Sequence, residues 1–149
     1  MGIFSIINKS ASGMTAERMR MDIISENIAN ADTTVTEKGG PYRRKMVVFE
    51  ERKKTEFRIP MNAREAMSGV NPIGEGVRVR KIIEDDSPLK YEYNPTHPNA
   101  DENGYVARPN VNIIEEMTDM ITATRAYEAN VTVISNAKGM AQSALNIGK

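Results

Sequence analysis

The sequence predicts an α+β protein in which long N- and C-terminal α-helices pair as a coiled-coil-like inner domain, with a small β-rich, irregular middle segment. Two observations predict the helices: apolar residues recur at heptad spacing near both ends of the chain, and neither run contains proline. The third observation is that all seven prolines lie between these runs, beside short stretches of alternating apolar and polar residues. The predicted units are residues 1–31, 32–109 and 110–149.

The first helix is predicted from about Gly2 to Asn30, a rod of about 40 Å. An apolar stripe repeats along it every seven residues, with three more small or apolar residues on the same face. The repeat comprises Ile7, Met14, Met21 and Ile28, and the flanking residues are Ile3, Ala11 and Ile24. An amphipathic helix packed on its own domain explains this stripe as well as an intersubunit seam does.

The middle segment is predicted to hold three strands. The first runs from Tyr42 to Phe49, the second contains Val77, Val79 and Ile83, and the third contains Leu89, Tyr91 and Tyr93. Because the turn signal Asp85–Pro88 lies between the second and third strands, we expect these two to form a hairpin. Residues 94–110 are rich in proline, asparagine, aspartate and glycine and are expected to be extended.

The second helix is predicted to follow Pro109 and to extend for about 35 residues, or about 50 Å. Asn112 is its predicted N-cap, with Glu115 in the capping-box position and Glu116 beside it at the positive end of the helix dipole. Gly148 lies where the helix is expected to stop. Two heptad sets run along the helix, one of Ile113, Met120, Tyr127, Ile134 and Ala141, the other of Met117, Thr124, Val131, Lys138 and Leu145.

Helices of this length cannot be covered by a compact globule of 149 residues, whose radius of gyration would be about 15 Å. They can pair with each other, parallel or antiparallel, but a two-helix pair leaves apolar side chains open on its outer faces. We therefore predict that other subunits bury the remainder. The predicted subunit-interface residues are Ile7, Met14, Met21, Ile28, Asn27, Asn30, Ile113, Met117, Met120, Tyr127, Asn130, Val131, Ile134 and Leu145.

The asparagines in this set have two possible roles. An amide can form hydrogen bonds across to a partner helix or to the exposed backbone at a helix end. For Asn27 and Asn30, simple C-capping explains the positions equally well.

Composition argues against several function classes. Lys plus Arg and Asp plus Glu are each 20, so the basic surplus of a nucleic-acid binder is missing. No apolar run reaches the roughly 18 residues of a membrane span, and the first residues lack the basic region and cleavage site of a secretory signal peptide. The absence of cysteine excludes disulfides and thiolate chemistry.

No catalytic, cofactor-binding or metal-binding residue is predicted, and the chain is not expected to be an enzyme. His97 is the only histidine, and one histidine without any cysteine is a poor ligand set for a metal ion. The run Gly69–Gly76 lacks the lysine and hydroxyl residue of a phosphate loop. The basic clusters Arg43–Lys45 and Arg52–Lys54 are expected to be solvated or to form salt bridges with a neighbour. An enzyme, and a soluble coiled-coil adaptor or export chaperone, are the alternatives.

Motifs at both ends of the chain carry a family resemblance. The run from Ser12 to Arg18 and the run from Ile24 to Thr33 resemble the N-terminal signature of the bacterial flagellar rod, hook and hook-associated proteins. The C-terminal helix of that family is similar to Asn110–Asn112, Glu115–Met117 and Arg125–Asn130. The middle motifs Gly39–Lys45 and His97–Val106, together with the short chain, are similar to its proximal-rod members.

The resemblance implies a structural component of the proximal flagellar rod, a hollow helical shaft through the periplasm that transmits torque from the membrane ring to the hook and filament. It implies terminal helices that pair and line the inner tube, with the middle segment outside. The implied partners are other rod proteins, further copies in a helical assembly, the membrane-ring and export-gate base, and the flagellar type III export apparatus. Nucleic acid and small-molecule substrates are not implied, and export would use uncleaved N-terminal information.

Overall fold

Residues 2–37, 39–52 and 74–147 are described by the computed structural model of this protein, which has two long helices and four short strands within these ranges. In chain order the elements are α1 (Ile3–Ala29), β1 (Lys45–Glu51), β2 (Val77–Glu84), β3 (Lys90–Tyr93), β4 (Tyr105–Arg108) and α2 (Ile113–Ile147). The predicted α+β class, with helices at the two ends and strands between them, is confirmed.

The two helices pack against each other in the antiparallel sense. Near the end of α1, the Asn27 amide contacts the Glu116 carboxylate in the first turn of α2. Two heptads earlier in α1, Gly13 lies against the side chain of Asn130, two heptads later in α2. Because the contacts advance in opposite directions along the two helices, the chain runs up one helix and down the other.

Small residues dominate the seam between the helices. Ala123 and Ala137 of α2 are fully buried and share the heptad frame of Glu116 and Asn130, and Gly13 of α1 lies against Asn130. Short side chains let two helix backbones approach closely, because the interaxial distance depends on the residues at the contact. The helix pair is therefore held by a narrow seam, with larger apolar side chains beside it.

The two predicted heptad sets of α2 differ in how far they are buried beside this seam. Met120, Tyr127 and Ile134 of the first set are half-buried. In the second set Met117, Val131 and Leu145 are exposed, and the positions that complete the seam are instead Glu116, Ala123, Asn130 and Ala137. The large apolar residues of the second set are displaced because the smaller residues allow the closer approach.

The strands form two separate antiparallel ribbons. β1 pairs with β2, with a register irregularity between Val48 and Phe49, and β3 pairs with β4. The predicted hairpin between the second and third strands is therefore wrong, and β4, the partner of β3, lies in the segment 94–110 that we expected to be extended. The turn itself does form, since the Ser87 amide and hydroxyl both donate to Asp85 Oδ1. This turn leads the chain from the β1–β2 ribbon to the β3–β4 ribbon, and it does not close a hairpin.

The start of α2 is capped as predicted. The backbone amide of Ile114 donates to Asn112 Oδ1 at 3.2 Å, which satisfies one of the free donors of the first turn. The predicted helix stop at Gly148 lies outside the described residues, as do most of Gly69–Gly76 and part of Arg52–Lys54. Over the ranges that are described, neither helix is apolar enough along its length to cross a membrane.

The close seam makes a specific prediction. Ala123→Leu should lower the free energy of unfolding by about 1–3 kcal/mol, because a fully buried alanine between two helices has no space for three more carbon atoms. Urea unfolding followed by circular dichroism at 222 nm measures the change. The control is Ala129→Leu on the exposed side of the same helix, which should leave stability within about 0.5 kcal/mol. Equal stability of the two variants would contradict the seam.

Candidate functional site

A cluster of polar groups lies where the last turns of α1, the segment entering β1 and the first turn of α2 meet. We call this cluster the polar junction, and it consists of Asn27, Tyr42, Arg44, Lys45 and Glu116. Three of its side chains are deeply buried: Asn27 is 1% exposed, Glu116 0% and Tyr42 7%. Buried polar groups of this kind are costly unless each one finds a hydrogen-bond partner.

Asn27 uses both ends of its amide. Its Nδ2 donates to the backbone oxygen of Lys45 and to Glu116 Oε2, each at 2.9 Å. Its Oδ1 accepts from the Tyr42 hydroxyl and from the Lys45 backbone amide, each at 2.9 Å. Since a side-chain amide has two donors and two acceptor positions, its hydrogen-bonding capacity is filled. One residue therefore ties α1 to β1 and to α2.

Glu116 is held from both sides. Its Oε2 accepts from Asn27, and its Oε1 accepts from Arg44 Nε at 2.6 Å. Arg44 also lies 3.4 Å from Asp119 and 3.9 Å from Asp85. Burial lowers the pKa of Arg44, but the hydrogen bond that Arg44 donates to Glu116 and the charges of Glu116, Asp119 and Asp85 outweigh burial and raise it. The guanidinium thus stays charged beside the buried carboxylate.

Tyr42 and Lys45 complete the junction. The Lys45 ammonium pairs with Glu26 at 2.5 Å and lies 5.6 Å from the centre of the Tyr42 ring. Burial, followed by the charges of Glu26, Glu116 and Glu84, raises the pKa of Tyr42 from 10.0 to about 12. Its hydroxyl therefore remains a hydrogen-bond donor to Asn27 at neutral pH.

Asn110 connects the junction to the turn that precedes β3. Its Oδ1 accepts from the Arg44 backbone amide at 2.8 Å, and its Nδ2 donates to the backbone oxygen of Asp85 at 3.1 Å. The backbone of Asp85 in turn donates to the Arg44 carbonyl. The junction therefore fixes both ribbons relative to the helix pair.

The two open roles for the asparagines are divided between them. Asn27 forms the hydrogen bond across the helix pair. Asn30 is the C-cap residue of α1, and its Nδ2 donates to the Glu26 carbonyl at 2.9 Å. Asn130 lies against Gly13 and donates to the Ala126 carbonyl of its own helix.

The predicted interface residues fall into three groups by exposure. Asn27 is buried within the protomer. A second group is half-buried, namely Ile7, Met14, Met21, Ile28, Asn30, Met120, Tyr127, Asn130 and Ile134. A third group is exposed, namely Ile113, Met117, Val131 and Leu145. Met21 belongs to the helix pair itself, because its sulfur lies 3.6 Å from Thr124 Oγ1 of α2.

α2 also carries large apolar side chains that are exposed in the protomer. Ile114 and Ile121 are one heptad apart, and Met117, Val131 and Leu145 follow one another at two heptads, so the five residues occupy two adjacent heptad rows that form one broad line along the helix. We call this line the outer stripe; it consists of Ile114, Met117, Ile121, Val131 and Leu145, which are 76%, 55%, 53%, 41% and 75% exposed. Ile114, Met117 and Ile121 form an exposed apolar cluster, and polar residues including Glu128 and Lys138 lie between this cluster and Val131 and Leu145. An exposed apolar cluster is a candidate interaction site.

A cavity of about 330 Å³ lies beside the polar junction, lined in part by Arg20, Arg44 and Asp119. Its charged groups are paired: Arg20 donates to Asp119 at 3.3 Å, and Arg44 contacts both Asp119 and Glu116. Ion pairs arranged in this way hold elements together, and they do not present a free base beside a nucleophile. His97 lies in the loop between β3 and β4, where its Nδ1 accepts from the Asn99 amide.

The sequence alone does not assign Tyr42, Arg44, Lys45 or Glu116 to a common site. Glu116 was assigned to the helix dipole, and Arg44 and Lys45 to a basic cluster facing solvent or a neighbour; instead they form ion pairs within the chain. A signal was present in the heptad frame of Glu116, Ala123, Asn130 and Ala137. This frame alternates polar and small residues, which is the pattern of a close helix seam with polar contacts.

The fold and the site define a structural protein, in which paired terminal helices carry an internal polar anchor and an uncovered apolar surface. Two family models match the chain: "Flagella basal body rod protein" over residues 7–35, and "Flagellar basal body rod FlgEFG protein C-terminal" over residues 102–147. These matches cover most of α1 and all of α2.

Comparison with individual relatives identifies the particular rod-protein family. The chain is 50% identical to the flagellar basal-body rod protein FlgC of Borreliella burgdorferi, over 99% of this chain and 98% of that protein. It is 48% identical to FlgC of Bacillus subtilis, and 36% identical to FlgC of an Escherichia coli strain, in each case over both full lengths. The chain belongs to the FlgC family of flagellar basal-body rod proteins, and it is a structural component of the rod. The family resemblance in its sequence motifs is confirmed.

The Tyr42 hydroxyl generates a prediction with a defined pH dependence. Between pH 10 and pH 12 the folded protein keeps a proton that the unfolded chain releases, so stability falls as pH rises through this window. Tyr42→Phe removes the donor to Asn27 and should lower the free energy of unfolding by about 1 kcal/mol below pH 10. The difference from the wild type should shrink between pH 10 and pH 12.

Urea unfolding at a series of pH values measures both curves. Tyr91→Phe, at a tyrosine that is 67% exposed, is the matched control and should follow the wild type throughout. Curves for Tyr42→Phe and the wild type that stay parallel up to pH 12 would contradict the assignment.

Proposed function

We propose that this chain assembles helically with further copies and with other rod proteins in the proximal part of the rod, and that the outer stripe of α2 is buried between subunits. The observation that carries the proposal is the exposure of five large apolar side chains along one side of a helix that is already packed on its other side. Full burial of each side chain contributes about 1.5–3 kcal/mol, so the stripe is a strong driving force for association.

Helical growth requires that a neighbouring subunit covers the stripe with a different surface of its own, and this is part of the proposal. An interface between two different surfaces is heterologous, and it produces an open helical array when the rotation does not close a ring. The match of the chain to rod-protein family models supports such an array over a closed dimer.

Transmission of torque requires that each subunit moves as one body, and the polar junction supports this role. Asn27 and Glu116 join the two helices, while Arg44 and Asn110 join both ribbons to them. A load applied to the ribbons would reach the helices through charge-assisted hydrogen bonds rather than through a hinge. The proposed shaft passes through the periplasm and carries torque from the membrane ring toward the hook and filament.

The proposed partners at the base of the shaft are the membrane ring and the export gate, and the proposed route out of the cell is the flagellar type III export apparatus without cleavage of the N-terminal segment. The role of α1 supports retention of that segment. Gly13 lies against Asn130 of α2, and the neighbouring Ile7 and Met14 are half-buried, so removal of the first turns would expose part of the seam of α2.

A charge in the outer stripe tests the proposed interface. Val131→Lys should abolish incorporation into rods and swimming, because a buried ammonium without a partner is costly. The lysine is compatible with the isolated fold, since Val131 is exposed and Glu128 lies one turn earlier on the helix. Motility in soft agar and the amount of the chain in purified basal bodies are the measurements.

Ala129→Lys introduces the same charge at an exposed position two residues before Val131, outside the stripe, and is the control. It should assemble and swim normally, and both purified variants should show wild-type helical circular dichroism. Normal swimming by Val131→Lys would show that the stripe is not an interface.

The end of α2 gives a second test. With Gly13 opposite Asn130, the first residue of α1 lies opposite Met140, so the last two turns of α2 extend past α1. Unpaired helix ends are marginal in water. In the dilute isolated chain, amides 142–147 should exchange with deuterium much faster than amides 119–137, and assembly should slow their exchange. Equal protection of the two segments in the isolated chain would contradict this arrangement.

A further inference from the structure

The apolar part of the helix seam is compatible with more than one register. Gly13 lies opposite Asn130, and the residues one heptad to either side of Asn130 are Ala123 and Ala137. If α1 slid by one heptad in either direction, Gly13 would meet an alanine, which fits against it without a clash. Small residues repeated at heptad spacing therefore hold two helices together without specifying their alignment.

The contact between Asn27 and Glu116 exists in only one of these registers. A slide in one direction would place Ala123 opposite Asn27, and a slide in the other would carry Asn27 past the first residue of α2, Ile113. Either shift separates the amide from the carboxylate that it contacts at 2.9 Å. Because both residues are almost completely buried, the separated groups would lose partners that water does not replace.

We propose that the hydrogen bond between Asn27 and Glu116 selects the register of the helix pair, and that the small-residue seam supplies attraction without selecting it. A single buried polar contact can specify alignment in helix pairs whose apolar contacts are permissive. Arg44 supports the selection, because it holds the second oxygen of Glu116 at 2.6 Å and leaves the first for Asn27.

The register has a consequence for assembly, and this consequence alone rests on the proposed function. It sets how far α2 extends beyond α1, and where the outer stripe lies relative to the two ribbons. A slide of one heptad would move the stripe by about 10 Å along the axis of α1, since each residue rises by about 1.5 Å. Two subunits in different registers would not present matching surfaces to each other.

Cross-linking of the isolated chain tests the register without reference to rod assembly. The protein contains no cysteine, so pairs can be introduced on a clean background. Met21→Cys with Thr124→Cys reports the observed register, in which the two side chains approach to 3.6 Å. Met21→Cys with Met117→Cys, and Met21→Cys with Val131→Cys, report slides of one heptad in the two directions.

Each cysteine pair is oxidised in five backgrounds, and the yield of intramolecular disulfide is measured by mass spectrometry. With the native junction, the 21–124 pair should dominate. With Glu116→Leu, the yield of at least one shifted pair should rise about tenfold, the factor that corresponds to a lost charge-assisted hydrogen bond. Glu116→Gln keeps an acceptor for the Asn27 amide and should retain the native pattern.

Ile24→Ala is the control for a general loss of stability, because Ile24 is 5% exposed and lies outside the polar contact. It should destabilise the chain while leaving the 21–124 pair dominant. Unchanged dominance of the 21–124 pair with Glu116→Leu would overturn the proposal, as would an equal rise of shifted pairs with Ile24→Ala.

Asn27→Ala is the second variant, because it leaves the ion pair between Glu116 and Arg44 in place. It should also raise a shifted pair. If both Glu116→Leu and Asn27→Ala abolish helical circular dichroism, the proposal is overturned, since the seam would then be unable to hold any register without the polar contact.

Discussion

The buried contact between Asn27 and Glu116 is the constraint on which the rest of the structure depends. A carboxylate with 0% exposure is costly to remove from water, and that cost is offset only because Asn27 and Arg44 occupy its two oxygens. Satisfying this one group brings together the end of α1, the start of α2 and the segment that enters β1. The positions of both ribbons follow, because Arg44 and Lys45 are joined to the helices at the same point.

The small residues of the seam have a second effect, on the outer surface of α2. Because Ala123 and Ala137 face α1, the larger residues at neighbouring heptad positions are directed elsewhere. Ile114, Met117 and Ile121 are thus exposed in the protomer although they would stabilise an apolar core. Internal packing by small residues and external display of large ones are consequences of the same heptad arrangement. The surface available for assembly is therefore built into the way that the subunit packs itself.

The strands show where local sequence signals fail. The alternating patterns predicted strands close to β1, β2 and β3, because period-two alternation is a property of a few neighbouring residues. Their pairing was wrong, because Asp85–Pro88 forms its turn with local hydrogen bonds that carry no information about the strand partner. The partner of β3 is β4, a strand of only four residues. Because β4 follows a run of turn-forming residues, the sequence pattern does not indicate it. Pairing depends on contacts between residues distant in the chain.

The sequence by itself determined the two helices, the N-cap at Asn112, the presence of strands between the helices, and the family, because each of these depends on residues that are close together in the chain or on motifs read directly. Only the tertiary structure decided which heptad frame of α2 faces α1, that the helices are antiparallel, and that Glu116, Arg44 and Asn27 form one buried cluster. The physical reason is that burial is a property of two elements in contact. A glutamate in the first turn of a helix has the same local signature whether it faces water or, as Glu116 does, the amide of a residue on the opposite helix.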